Sequence, residues 1–505
     1  MVNDYPLLVG LAQKTYRDSD PTRTKVVAME EVTRMALEDS GSSKLLASID
    51  TIVTVPFLGT QVPEMAPFMQ PNPGAELRDR LGIDAKLYTA EVGGNLPQHF
   101  VNYFSDKLMA GKSRAVLITG SELLGTLFAA LKRGIDVSHW RQGGDEVSQS
   151  IDSRKLKLHP TEIAHGLFKP INVYPMIEAA LQNEIGHDTK CHQARLARII
   201  SNMSCVAANN PHAWVKRGLS PKEILCTDNG NRMISHPYTR AMTAILGVDM
   251  ACAVILTSQS HARELGIDDE RCVFLTGCSD ANDVDHFTER ADFVSSPALE
   301  AAAAEAMEMA NISLDAIDAF DIYSCFPSAV QVALKALGLD VNERRSLTVT
   351  GGLTVFGGPG NNYSLHAIAE MGSMIRSGRV RHGMITANGG YLTKHSVGIY
   401  SSSKPDHPWK KPDTMGLQSM IDNLPRPKLC SEPSGNGYIE TFTVTYGKNG
   451  PERGIVIGRL QNGQRFVSHT SPKASVLQRM IEEDVIGATG KVTPGEPENL
   501  FEFDH

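Results

Sequence analysis

Cysteine is scarce and unpaired: eight in 505 residues, at 191, 205, 226, 252, 272, 278, 325 and 430, with no Cys-x-x-Cys spacing. That pattern excludes a disulfide framework, gives no zinc signature and predicts a metal-free protein of a reducing, cytoplasmic compartment. Long apolar runs are missing too. No stretch approaches the ~18 uncharged apolar residues of a membrane span. The opening Met-Val-Asn-Asp-Tyr-Pro has neither the charged leader nor the apolar core of a secretion signal. Positive charge is in deficit, with 49 Lys and Arg against 57 Asp and Glu, a net charge of −8. Nucleic acid and an anionic membrane are therefore poor candidates for the main partner. No close internal repeat is visible.

What is present is globular: 41% hydrophobic and 21% charged residues, over a length that suits about three domains of ~150 residues. Apolar strands alternate with amphipathic helices. Leu7–Leu11 and Thr51–Val55 read as strands, with a helix over Thr22–Leu37 between them. A strand from Leu87 to Val92, a Gly93-Gly94-Asn95 turn, a helix opened by Pro97 and the strand Ala115–Thr119 form a parallel crossover. Residues 121–235 lose the alternation and read as a helical insertion. A second α/β series begins at Cys272, with strands at Ala319–Tyr323 and Gly383–Ala387 and a helix over Ala298–Asn311. These patterns divide the chain into an N-terminal half (1–267), a second half (268–403), a proline-rich linker (404–433) and a small all-β module (434–505), read as a short barrel.

The densest feature is Gly351-Gly-Leu-Thr-Val-Phe-Gly-Gly-Pro-Gly-Asn-Asn-Tyr363, with five glycines in thirteen residues. It lies between a strand-like Leu347–Thr350 and a helix-like run from Ser364, the place where α/β proteins put binding and catalysis. Two further loops end strands of the second half: Tyr323-Ser-Cys-Phe, and Asn388-Gly-Gly-Tyr-Leu-Thr-Lys-His395. Gly93-Gly-Asn supplies a fourth loop from the first half.

With these loops, with Ile234-Ser-His-Pro-Tyr-Thr and with Thr119-Gly-Ser-Glu122, residues from about 5 to 400 resemble the thiolase superfamily. Together with the C-terminal β module, the pattern is similar to its thiolase-like protein type 1 branch, an acetyl-CoA acetyltransferase-like group related to sterol-carrier-type thiolases. The resemblance implies an α/β thiolase fold: two similar five-layer α-β-α-β-α halves with a helical loop-domain insertion and a C-terminal small β-barrel. It also implies a coenzyme A thioester as substrate, no covalently bound cofactor, and a monomer or homodimer.

The catalytic set of that superfamily is incomplete here. Its nucleophilic cysteine falls at Gly94 or Asn95. A His-Asp-Cys-Phe loop becomes Tyr323-Ser-Cys325-Phe326, Gly-His-Pro becomes Gly357-Gly358-Pro359, and a Cys-x-Gly loop becomes Asn388-Gly-Gly. A thiolase needs a thiolate to carry the acyl group and a histidine to activate it; without them, ordinary thiolase activity is not expected. The remaining candidates are Tyr323, Cys325 and His395 for acid–base work, and Gly94, Asn95, Gly358, Asn361, Asn362 and Asn388 for holding the substrate. Each has a plain alternative: Cys325 as a small buried hydrophobe, Tyr323 and His395 as loop anchors. The set suits carbon–carbon bond formation or cleavage on an acyl-CoA without an acyl-enzyme, of aldol or retro-aldol type. Thiolase-like aldolases of this kind place a tyrosine at the position of Tyr323 and pair with a small β-barrel protein. A non-catalytic acyl-CoA-binding protein and a partner subunit are the rival readings.

Overall fold

A computed structural model describes residues 4–141, 146–151, 157–228 and 230–504. In chain order its strands are β1 (Pro6–Thr15), β2 (Ile49–Thr54), β3 (Lys86–Thr89), β4 (Ala115–Leu123), β5 (Gln149–Ser150), β6 (Met233–Ser235), β7 (Tyr238–Thr239), β8 (Asp249–Ser258) and β9 (Val273–Asn282). They continue with β10 (Ala319–Ile322), β11 (His382–Gly389), β12 (Lys394–Ser401), β13 (Gly435–Gly447), β14 (Gly450–Leu460), β15 (Arg465–Thr470), β16 (Thr489–Thr493) and β17 (Leu500–Phe503). The helices that matter below are α1 (Lys25–Ser40), α2 (Leu96–Met109), α3 (Pro170–Ile185), α4 (Thr189–Asn209), α5 (Pro297–Ala310), α6 (Pro327–Ala336), α7 (Tyr363–Arg376) and α8 (Thr414–Asp422).

Ten strands run in the order β10-β11-β12-β9-β1-β8-β4-β2-β3-β5. Outward from the short β1–β9 junction the pairings repeat: two antiparallel steps (β1–β8–β4 on one side, β9–β12–β11 on the other) and then a parallel step to β2 or β10. The twofold similarity extends to close contacts. A Cβ at Gly10 on β1 would sit 2.4 Å from the Ala36 carbonyl oxygen of α1, and one at Gly277 on β9 would sit 2.0 Å from that of Ala306 in α5. Glycine at both places lets an outer helix lie directly on its strand. α2 and α7 pack on each other and on the strands of both halves, forming the central layer. Their apolar faces (Phe100, Val101, Phe104, Leu108; Leu365, Ile368, Met371, Ile375) are buried. The two halves are thus alike in topology although no repeat is legible in their residues.

Three expectations are corrected. The strand expected to reach Val92 ends at Thr89, and the strand expected at Leu347–Thr350 does not form. The latter segment starts as an edge: Phe320 N–H donates to the Ser346 carbonyl (2.9 Å) and Ile322 N–H to that of Leu347 (3.0 Å). The buried Asp321 carboxylate then takes over the role of the ladder, accepting from the backbone N–H groups of Val349 (2.9 Å) and Thr350 (3.2 Å) and from both threonine hydroxyls. Thirdly, the proline-rich stretch 404–433 contains α8, which packs on α5 and β9.

The C-terminal strands close as β13-β14-β15-β17-β16-β13, a five-stranded barrel, with β6 at the end of the insertion paired to β13 and β7 paired to β6. Its core holds Ile439, Val444, Val456, Phe466, Val492 and Phe501. The barrel is therefore joined to the helical insertion through backbone pairing as well as through the chain.

Candidate functional site

Gly94 precedes the N-terminus of α2, the positive end of the helix dipole, and Tyr323 follows β10. The two meet at the seam between the halves. A Cβ at position 94 would lie 2.2 Å from Tyr323 Oη and 2.6 Å from the Asn388 carbonyl oxygen. The tyrosine hydroxyl therefore fills the space into which a side chain at 94 would project. Gly94, Cys325 and Gly390 remain partly exposed while Tyr323, Ser324 and Asn388 are buried, so solvent reaches the cluster at these small residues.

Around the phenol stand Tyr174 of α3 and the Cys325 thiol, each perturbing the other's titration. Asn388 Nδ2 donates to Tyr174 Oη (2.9 Å), and that hydroxyl donates to the Gly390 carbonyl (3.1 Å). Asn388 Oδ1 is left buried with no partner among the described residues. Burial pushes the Cys325 thiol up to about 12. It raises the phenols of Tyr323 and Tyr174 further above their usual value near 10. At neutral pH the cluster is an uncharged set of proton donors with no thiolate.

The loop that carries Tyr323 and Cys325 is held rigidly. Phe326 stacks on Tyr174 (centroids 4.5 Å apart) and on Tyr238 (5.8 Å). Beneath it, Glu178 accepts from Tyr238 Oη (2.5 Å) and Gln331 Nε2 (2.7 Å) and pairs with His192 Nε2 (2.6 Å). Ser328 Oγ donates to the Tyr174 carbonyl (3.0 Å). These buried bonds tie α3, α4, β7 and α6 to the loop.

Other expected site residues have different neighbours. His395 is the second residue of β12, buried, with Nε2 bonded to Ser296 Oγ (3.1 Å) and the Leu392 carbonyl (3.0 Å), and Asp283 at 3.7 Å. Burial lowers its pKa. The histidine is thus committed to anchoring the 389–393 turn. Gly358 spends its N–H on the Ile245 carbonyl (2.9 Å). Asn361 Nδ2 donates to the Pro56 carbonyl (2.8 Å) and Asn362 Nδ2 to that of Gly120 (3.0 Å). Four of the five loop glycines have positive φ (+114°, +81°, +119° and +54° at 351, 352, 357 and 360), which only glycine adopts without strain. Trp214 and Val215 N–H groups donate to the Phe356 and Val355 carbonyls. The glycine loop is therefore a buried joint between halves and insertion, although Asn362 Oδ1 has no partner among the described residues. Asn95 lies at the seam as well, its Nδ2 3.3 Å from Ser396 Oγ and its Oδ1 unpartnered among the described residues.

Sequence reasoning missed Tyr174, Asp321 and the Glu178 network. A carboxylate inside Phe320-Asp-Ile was the visible signal for Asp321; nothing local marks Tyr174.

Fold and site together define a thiolase-like protein with an appended barrel. Residues 416–496 match the family described as the thiolase-like protein type 1 additional C-terminal domain. The crystal structure of a monomeric SCP2-thiolase like protein type 1 from Mycobacterium smegmatis is similar along 99% of both chains, at 32% identity and a TM-score of 0.85. The chain belongs to this SCP2-thiolase-like type 1 family. The Ltp2-ChsH2(DUF35) aldolase shares the fold at 16% identity, over 79% of this chain and 97% of that one, with a TM-score of 0.59. A probable acetyl-CoA acetyltransferase of Dictyostelium discoideum is 29% identical over 143 residues, 28% of this chain. That match spans about a third of the curated relative, 32% of its length. No helix among the described residues is long and apolar enough to cross a membrane.

Proposed function

We propose that this protein binds an acyl-CoA thioester in the cytoplasm, as a monomer, and makes or breaks a carbon–carbon bond beside the thioester without an acyl-enzyme. One observation carries the reading: Tyr323 Oη fills the space of a side chain at position 94. No nucleophile fits there, and a neutral phenol stands in its place. In retro-aldol cleavage of a 3-hydroxyacyl-CoA, the C2–C3 bond breaks, its electron pair passes to C2, and the 3-hydroxyl proton ends on C2. Products are a carbonyl compound and a shorter thioester. Tyr323, through its small phenolate fraction, takes the 3-hydroxyl proton and returns it to C2, and the N-terminus of α2 polarises the thioester oxygen. The aldolase that shares the fold supports this class of reaction, and the fused barrel fits the same comparison.

Supplying 3-hydroxyacyl-CoA and following the shorter thioester tests the reading. Tyr323→Phe should abolish turnover and leave thioester affinity within about twofold, since only the proton carrier is removed. Turnover that survives Tyr323→Phe refutes the role. Affinity without product from the unaltered chain would favour the binding-only alternative.

A further inference from the structure

Away from the Tyr323 cluster, the turn into α3 and the barrel enclose a cleft of about 570 Å³, within the ~300–1,000 Å³ range of small-molecule sites. Its barrel wall is polar. His469 Nδ1 and Glu498 Oε2 are 2.9 Å apart, and Arg453 Nη1 donates to Glu498 Oε1 (2.8 Å). That leaves most of the guanidinium donors uncommitted to Glu498. Ser235, 1% exposed and also lining the cleft, has a hydroxyl without a partner among the described residues. The opposite lining is apolar: Phe168 is 46% and Ile171 39% exposed, and Lys169 Nζ lies 5.3 Å from the centre of the Phe168 ring. Lys169 and Arg453 are the lysine and arginine among the described lining residues; Glu452 lines the cleft as well.

Two structural links run from the cleft's lining to the Tyr323 cluster. Tyr391, in the turn that follows Asn388, donates from Oη to the Phe168 carbonyl (2.7 Å). Five residues beyond Lys169 along α3, an axial rise of ~7.5 Å, stands Tyr174.

We propose that this cleft takes the nucleotide end of the substrate, the adenosine 3′,5′-bisphosphate portion of coenzyme A. The purine lies against Phe168 and Ile171, the phosphates meet Lys169 and Arg453, and the Ser235 hydroxyl finds its missing partner in the ligand. The barrel then serves as a substrate-binding domain. The inference rests on the acyl-CoA reading of the Tyr323 site, yet its test needs no turnover.

Calorimetric titration of the full chain with adenosine 3′,5′-bisphosphate, CoA and ATP provides that test. The bisphosphate and CoA should bind, ATP more weakly. Lys169→Glu and Phe168→Ala, both at exposed positions, should each weaken the bisphosphate and CoA by about tenfold or more with the melting temperature unchanged. Bisphosphate binding that neither variant affects, or no bisphosphate binding alongside intact CoA binding, overturns the cleft assignment and leaves the Tyr323 site standing. ATP binding as tight as CoA overturns the assignment to CoA. Bisphosphate binding that fails only in the variants, in a protein that turns over no thioester, upholds the cleft and removes the proposed reaction.

Discussion

Replacing Gly94 by alanine tests the geometry on which the site rests. The φ of Gly94 is not among the positive values, so the backbone accepts alanine and the cost is steric. The new methyl would meet Tyr323 Oη at 2.2 Å, its Cζ at 2.8 Å and the Asn388 carbonyl oxygen at 2.6 Å. A phenol can swing; a strand carbonyl at the end of β11 cannot. Overpacking of a close-packed site costs ~1–3 kcal/mol, and with a backbone atom in the way the upper end applies, a fall in melting temperature on the order of 5 °C. Tyr323→Phe deletes the closest atom, and its hydroxyl makes no hydrogen bond among the described residues, so that change alone should cost under ~1 kcal/mol. Because the two positions touch, their costs should not add. Gly94→Ala/Tyr323→Phe should be more stable than the sum of the single changes by ~1 kcal/mol. Thermal melts of the four proteins, followed by near-ultraviolet circular dichroism, give the cycle. A neutral Gly94→Ala, or strict additivity, would refute the contact and with it the exclusion of a nucleophile at 94.

Three more outcomes follow from the buried groups. With Tyr323 held far above its usual value by burial, the phenolate fraction rises tenfold per pH unit, so kcat/KM for retro-aldol cleavage should climb through pH 9 without levelling; a plateau near neutrality would assign the proton to another group. Burial lowers His366 to about 3 and His236 to about 4. Both rings are neutral in the fold and charge on unfolding, so the stability they confer is complete above ~6.5 and drains as pH falls toward the folded values, by ~1.4 kcal/mol per unit per ring. His366→Gln should flatten the slope of unfolding free energy between about pH 6 and 4, and an unchanged slope would contradict the assignment. Lys25 Nζ and Glu122 Oε2 form a buried pair at 2.7 Å, with side chains 4% and 1% exposed. Lys25→Met strands the carboxylate and should cost ~3–5 kcal/mol in a denaturant titration, with Glu122→Gln restoring part of it in the double variant.

Much of the fold was legible because periodicity reports burial. Leu7–Leu11 and Ala115–Thr119 are apolar runs that become the strands β1 and β4; Pro97 marks the first turn of α2. Asp321 shows where such reading stops: a carboxylate side chain substitutes for a strand ladder, and no pattern at 347–350 announces it. The same limit governed the site. Tyr323, Cys325, Gly94 and Asn388 were visible as loop residues at strand ends, and the fold brings those four together. His395 looked unusual for a core residue beside a lysine, yet it is 2% exposed and bonded to Ser296, a hundred residues earlier in the chain. The glycine loop looked built to admit a ligand. Its glycines instead admit neighbouring protein atoms: a Cβ at Gly351 would lie 2.4 Å from the Ala207 Cβ and 2.7 Å from its Cα. Partners distant in sequence decide such cases, and only the fold supplies them.

The central claim is thioester chemistry without a covalent acyl-enzyme, and intact-mass spectrometry of the protein during turnover of 3-hydroxyacyl-CoA tests it most directly. The account predicts an unmodified protein mass at every time point, a shorter CoA thioester accumulating, and no product from Tyr323→Phe. An acyl adduct that maps to Cys325 or another cysteine, and that forms and decays with turnover, would contradict it.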